Sequence, residues 1–111
     1  MEKKLGKIES ISFGLGGYQG AMIGLHVTLG DGSWGVGDSR VNWDSEQIKW
    51  TENTQWSESD RDKWFADITR YVSKLLKEAK VDSVDKLKGK PVEATFNGNT
   101  LKEWRILTEV L

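Results

Sequence analysis

The sequence predicts a single α+β domain in which one amphipathic helix covers a face or an end of a curled antiparallel sheet or small barrel. Three observations predict this fold. Apolar side chains alternate with others from residue 21 to 29, which is the period of a half-buried strand. They recur at steps of three and four from residue 64 to 79, as on a helical stripe. Residues 92–96 alternate again, ahead of a turn signal.

The first third of the chain predicts a three-stranded meander. A strand at residues 7–13 enters the glycine-rich segment 14–17, where glycine permits positive φ. After the strand at 21–29, Asp31-Gly32 suits the left-handed dihedral angles of a tight hairpin, and residues 34–38 continue as the return strand.

Residues 39–56 have no convincing period and predict a long ordered connection. Connections of this length without secondary structure of their own are uncommon, so the segment is either functional or contains an element that the pattern does not reveal. The acidic part of the chain overlaps it, because residues 41–62 hold two basic side chains against six acidic ones.

The amphipathic helix is expected to begin at Ser57, a capping residue with Glu58 and Asp60 in the first turn, where acids meet the positive end of the dipole. A further short helical turn is expected at residues 81–87. It must end before Pro91, because proline has no backbone donor and a fixed φ.

The last elements predict a C-terminal β-hairpin. Residues 92–96 and 101–110 suit strands, and Asn97-Gly98 between them offers a tight turn. The helix would therefore stand between a three-stranded meander and a two-stranded hairpin.

Composition excludes several classes of protein. With 37% hydrophobic and 30% charged residues, residues 1–111 can bury a core and fold as one domain. The absence of cysteine excludes disulfides, thiolate metal sites and a cysteine nucleophile. The net charge of −1 lacks the basic surplus of a dedicated duplex-DNA binder. No apolar run resembles a membrane span or a signal peptide, so a cytoplasmic location without membrane contact is expected.

No constellation of residues predicts catalysis, and we expect neither an enzyme nor a bound metal or cofactor. An enzymatic interpretation would rest on little beyond Asp38, His26 and Ser33, and the only histidine falls on the polar phase of a strand. The acidic cluster at 58–62 suits the helix dipole better than a metal ion.

Tryptophan is the least ordinary feature of the composition. Six occur, and four of them lie between residues 43 and 64. Trp, Tyr and Arg dominate binding hot spots, and aromatic rings stack on bases. We therefore predict a ligand- or partner-binding surface formed by Tyr18, Arg40, Trp43, Trp50 and Trp56. The alternative is that these tryptophans pin the connection to a small core.

The glycine-rich segment at residues 13–20 has a superficial likeness to a phosphate-cradling loop. Such loops precede a helix whose N-terminus holds the phosphate, whereas a strand follows here. A β-bulge or long hairpin loop is the expected structure, and a backbone nest that a ligand approaches closely is the alternative.

Three segments carry a resemblance to a known group of proteins. They are residues 11–19 (ISFGLGGYQ), residues 34–37 (WGVG) and residues 104–111 (WRILTEVL). Together they resemble a family of short proteins encoded in tailed phages and prophages, over nearly the whole chain. The resemblance implies expression in an infected or lysogenic bacterium. It carries over no activity and no functional residues.

The resulting hypothesis is a non-catalytic phage or prophage binding module that modulates a host process. Its partner would be a host protein or a nucleotide-like ligand, so that it acts as an anti-defence inhibitor or as a sponge for a nucleotide signal. The second hypothesis is a single-stranded nucleic-acid accessory protein, in which Trp34, Tyr18 and Trp104 face bases beside the lysines near Lys88. An exposed sheet edge or tryptophan patch could equally form a homodimer interface.

Overall fold

The computed structural model describes residues 1–16, 22–43 and 58–111. Within these ranges the chain forms six strands, one long helix and two short 3₁₀ helices. Their order is β1 (Glu2–Gly16), β2 (Met22–Gly30), β3 (Gly35–Gly37), β4 (Arg40–Trp43), α1 (Glu58–Ala79), a 3₁₀ helix (Val84–Leu87), β5 (Pro91–Asn97), β6 (Thr100–Ile106) and a second 3₁₀ helix (Thr108–Val110).

All six strands belong to one antiparallel sheet with the order β3-β2-β1-β5-β6, and β4 also pairs with β2. The prediction of an α+β fold with an antiparallel sheet and one helix is confirmed. The curled sheet or small barrel is not confirmed, because the backbone ladder is open and no described strand joins β3 to β6.

The strand β1 pairs along both of its edges, with a different partner for each half. Its residues 2–7 pair with β5, and its residues 7–16 pair with β2. A register shift between Ile8 and Ser10 marks a β-bulge at Glu9. Because the bulge adds one residue, Ile8 and Ile11 face the same side of the sheet despite their odd spacing. The predicted strand at 7–13 was too short at both ends, since residues 2–6 pair with β5 and residues 14–16 continue the ladder with β2.

β3 and β4 lie on the same edge of β2. Thr28 pairs with Gly37 on β3 and Leu25 pairs with Arg40 on β4, so the two short strands share one register with β2. Between them, the Asp38 N–H donates to the Val27 carbonyl at 2.9 Å. β4 is therefore an element within the predicted connection at residues 39–56 that the sequence pattern does not reveal, which is one of the two alternatives left open for that segment. β4 has only four residues, of mixed polarity, which is too few to show the alternation of a strand. The rest of that predicted connection lies outside the described residues.

The core forms between one face of the sheet and α1. Its largest fully buried side chains come from the sheet and the first 3₁₀ helix: Ile8, Leu25, Leu29, Leu87, Val92 and Ile106. The helix contributes Ile68, Leu75 and Ala79 on one stripe, as its periodicity predicts. Salt bridges such as Lys63–Asp67 and Lys74–Glu78 cover the opposite, exposed face.

The C-terminal end of α1 is set by local backbone geometry. Lys80 takes the left-handed conformation with φ 58°, and the Val81 N–H donates to the Leu76 carbonyl at 3.0 Å. The predicted Ser57 cap lies outside the described residues.

No helix in the described ranges is long and apolar enough to span a membrane.

The C-terminal hairpin forms as predicted, but its second strand is shorter. β6 ends at Ile106, whereas the sequence pattern predicted a strand to residue 110. Leu107 donates its N–H to the Pro91 carbonyl at 2.9 Å, and the next residues turn into a 3₁₀ helix. Arg105 also bonds both Glu109 carboxylate oxygens at 3.1 Å, which favours the turn over an extended strand.

The close approach of β1 to the β2–β3 hairpin makes a glycine necessary at position 6. A Cβ atom there would lie 2.6 Å from the Gly30 carbonyl oxygen and 2.7 Å from Trp34 Cζ2. We predict that Gly6→Ala lowers the free energy of unfolding by about 1–3 kcal/mol, because the added methyl overpacks the contact. Urea unfolding with fluorescence detection measures it.

Gly14→Ala is the matched control on the same strand, because a Cβ atom there meets nothing within 4 Å. Its free energy of unfolding should change by less than about 0.5 kcal/mol. Equal losses in the two variants would contradict the packing explanation and indicate a general cost of alanine in β1.

Candidate functional site

Two of the segments predicted to form the contact surface begin at the same end of the sheet. Gly16 pairs with Met22, and Met22 pairs with Trp43, so these three residues lie side by side on adjacent strands. Residues 17–21 connect the first two, and residues 44–57 follow the third. We call this the loop end of the sheet, defined by Gly16, Met22 and Trp43.

Arg40 is the predicted site residue whose side chain the structure describes. It lies directly opposite Leu25, a fully buried core residue, so its side chain shares the core face of the sheet. Its guanidinium carbon stands 3.8 Å from the centre of the Tyr71 ring on α1. This is a cation–π contact in which the arginine side chain stays 47% exposed.

Arg40 and Tyr71 line a groove between β4 and α1. We call it the Arg40 groove, and its cavity volume is about 270 Å³. Its lining residues are Ser39, Arg40, Val41, Trp64, Asp67, Ile68 and Tyr71. A guanidinium beside aromatic rings recognises carboxylates and phosphates through its donors, and planar groups through stacking. The groove therefore offers a contact for an anionic or aromatic group.

Asp38 fixes the position of this groove relative to the last strand. Its Oδ2 accepts a hydrogen bond of 2.5 Å from Trp104 Nε1 on β6, and Arg40 Nε lies 4.0 Å from the same oxygen. Burial raises the pKa of Tyr71 above its ordinary value, and the charge and hydrogen bond of Arg40 offset only part of this rise. These four side chains link β4, α1 and β6 on the core side of the sheet.

The other predicted site residues are Tyr18, Trp43, Trp50 and Trp56. Trp43 ends β4 and pairs with Met22 through its backbone. Tyr18, Trp50 and Trp56 lie outside the described residues. The prediction that these aromatic residues meet Arg40 on one surface therefore stays a prediction.

The remaining tryptophans pack against the core. Trp34 meets Phe96 edge-on, with ring centroids 5.6 Å apart, and Trp104 is held by Asp38. Trp64 also packs on the core cluster, at the rim of the Arg40 groove. For these three residues, the interpretation that tryptophan stabilises a small core is the better one.

The residues considered for catalysis are not brought together. His26 lies on the opposite face of β2 from Leu25 and Val27, with Nε2 3.2 Å from the Gly14 carbonyl. Ser33 donates to Asp31 at 2.7 Å in the β2–β3 turn, and Asp38 is engaged by Trp104. The described ranges hold no group of three or more potential metal ligands.

No protein-family model, curated protein or solved structure matches the chain. The resemblance to short phage and prophage proteins therefore stays a prediction.

Sequence reasoning predicted Arg40 as a contact residue but did not single out its neighbour Tyr71 or the link through Asp38. A signal for Tyr71 was present, because its phenol stands on the apolar stripe of the helix, where a polar atom needs a partner. The Asp38–Trp104 bond had no comparable signal. It joins residues on β6 and on the far edge of the sheet, which the order of strands alone does not place in contact.

Trp104→Phe should lower the free energy of unfolding by about 1.5–3 kcal/mol, the usual contribution of a hydrogen bond to a charged group. The substitution keeps an aromatic ring but removes the indole N–H that Asp38 accepts. A double-mutant cycle with Asp38→Ala in urea unfolding measures the coupling. The double variant should lose little more stability than Asp38→Ala alone, and strictly additive losses would contradict the bond.

Proposed function

We propose that this chain is a non-catalytic binding module of phage or prophage origin that modulates a host process in the bacterial cytoplasm. It would act by binding a host defence protein or by sequestering a nucleotide-like signal. The observation that carries the proposal is the register of β1, β2 and β4. It brings Gly16, which precedes residues 17–21, and Trp43, which precedes residues 44–57, to the loop end, three residues along β4 from Arg40.

The chemistry of this region suits recognition. Arginine, tyrosine and tryptophan provide large contact areas together with directed donors, and they dominate measured hot spots. Arg40 is held in place by Tyr71, so less side-chain entropy is lost when a ligand contacts it. Its half-exposed guanidinium is thereby presented toward a carboxylate, phosphate or ring of the ligand.

The contacts of Trp34 and Trp104 do not favour the alternative of a single-stranded nucleic-acid protein. Bases stack on ring faces that are free to receive them. Trp34 meets Phe96 edge-on and lies close to Gly6, and the rings of Trp34 and Trp104 both pack against the core cluster. We therefore expect no response confined to oligonucleotides, and such a response would overturn the proposal.

The melting temperature and the tryptophan fluorescence of the purified protein test the proposal. Titrants are linear and cyclic nucleotides, labelled oligonucleotides at low ionic strength, and fractions of a bacterial lysate. A ligand that binds only the native state, present at a hundred times its Kd, stabilises the protein by about 2.7 kcal/mol. A response to a nucleotide or a purified host protein supports the proposal. A response confined to oligonucleotides, or none, contradicts it.

Arg40→Ala and Trp43→Ala should each weaken binding of the ligand found in this way. Truncating a hot-spot residue costs about 2 kcal/mol or more, so the expected increase in Kd is about thirtyfold. Isothermal titration calorimetry measures it, with unfolding curves to verify that each variant is folded.

Leu5→Ala is the matched control, because Leu5 is 64% exposed on β1 but lies on the half that pairs with β5. Its Kd should equal that of the wild type. Unchanged affinity in both Arg40→Ala and Trp43→Ala would remove the loop end and the Arg40 groove as the contact surface.

A further inference from the structure

The second half of β1 directs backbone groups toward an edge at which the described residues provide no partner strand. The Val27 carbonyl accepts the Asp38 N–H, so Val27 points its backbone groups away from β1. Its partner Ile11 therefore points its own N–H and C=O away from β2, as do Phe13 and Leu15 by alternation. Among the described residues, no strand pairs with this edge of β1 beyond Ile8, which bonds Gly89 and Lys90.

This edge lacks the features that normally prevent pairing between sheets. Natural edges carry lysine, proline or inward-pointing charges, and no charged residue or proline occurs from residue 11 to 16. Phe13 and Leu15, the two apolar side chains nearest the end of the segment, are about half exposed. Phe13 is 49% exposed and Leu15 is 57% exposed, although both share the core face of the sheet.

We propose that this edge of β1 is the dimer interface of the protein, where it pairs antiparallel with the same edge of a second copy. A twofold axis at Phe13 places Ile11 opposite Leu15 of the second copy and Phe13 opposite its own equivalent. Each hydrogen-bonded pair exchanges two bonds, so the three pairs give about six. The two sheets then continue into one, and the exposed phenylalanine and leucine side chains cover each other.

The residues favour a second copy over a different protein as the occupant. Ile11, Phe13 and Leu15, whose backbone groups face this edge, are all apolar and are evenly spaced about Phe13, so the segment complements itself across a twofold axis. The segment is neutral, so two copies meet without repulsion. On the other half of β1, Lys3, Lys4 and Lys7 would oppose such a contact. This inference does not rest on the proposed function.

Sedimentation equilibrium of the wild-type chain over a wide range of protein concentration tests the proposal. The interface is small compared with a standard one, so the mass should rise reversibly from 12.6 kDa toward twice that value. Amide hydrogen exchange measured residue by residue gives the second readout. The N–H groups of Ile11, Phe13 and Leu15 should gain protection as dimer forms, while those of Ser12 and Gly14, already directed at β2, should not.

Phe13→Lys should remain monomeric at every concentration with a melting temperature close to that of the wild type, because its side chain is half exposed. Leu5→Lys is the matched control on the same strand and should still dimerise. If Phe13→Lys does not fold, Leu15→Lys replaces it, and the exchange experiment needs no substitution.

Three results would overturn the proposal. The first is a wild-type chain that stays monomeric at all concentrations. The second is a dimer in which the amides of Ile11, Phe13 and Leu15 remain unprotected, since another surface would then be the interface. The third is protection of these amides that does not depend on concentration, since the edge would then be covered within one chain.

Discussion

The backbone ladder of β1 joins the two halves of the sheet. Its first half is hydrogen-bonded to β5 and its second half to β2, and these partners lie on opposite edges. The bulge at Glu9 separates the halves and changes which residues face the core, so that Ile8 and Ile11 both point inward. Without this change of phase, one half of the strand would direct its apolar side chains to solvent. The positions of the meander, of the C-terminal hairpin and of the core between them depend on this one strand.

A second set of contacts fastens the helix and the last strand to the edge formed by β3 and β4. Asp38 stands at the break between those strands, where it accepts the Trp104 indole N–H and approaches Arg40, which stacks on Tyr71. An ion pair alone would contribute little at a half-exposed site. Here the carboxylate has a neutral donor from β6 as well, and the guanidinium has an aromatic face to rest on. The same contacts that position the helix also shape the groove in which Arg40 is presented.

The sequence predicts the elements that have strong periods and leaves out those that depend on distant partners. β2, α1 and the turn at Asn97-Gly98 have clear local signals, and the structure contains them. β4 is too short to show a period, and its extended form comes from pairing with residues 22–25. The length of β1 was underestimated because glycines at 14 and 16 suggest a loop, although they fit a strand whose neighbour is already in place. Arg40 was predicted as a contact residue from its residue type, whereas its position beside Tyr71 follows from how the helix packs on the sheet.

The double pairing of β1 also sets an order of events during synthesis. The strand leaves the ribosome before both of its partners, and its second half can pair with β2 as soon as Gly30 has emerged. Its first half must wait for β5, which begins only at Pro91. At ordinary rates of translation this delay is several seconds. The half that waits carries Lys3 and Lys4, which keep an unpaired strand soluble, whereas residues 11–16, which carry no charge, wait only for β2. The distribution of charge along this single strand thus matches the time that each half spends without a partner.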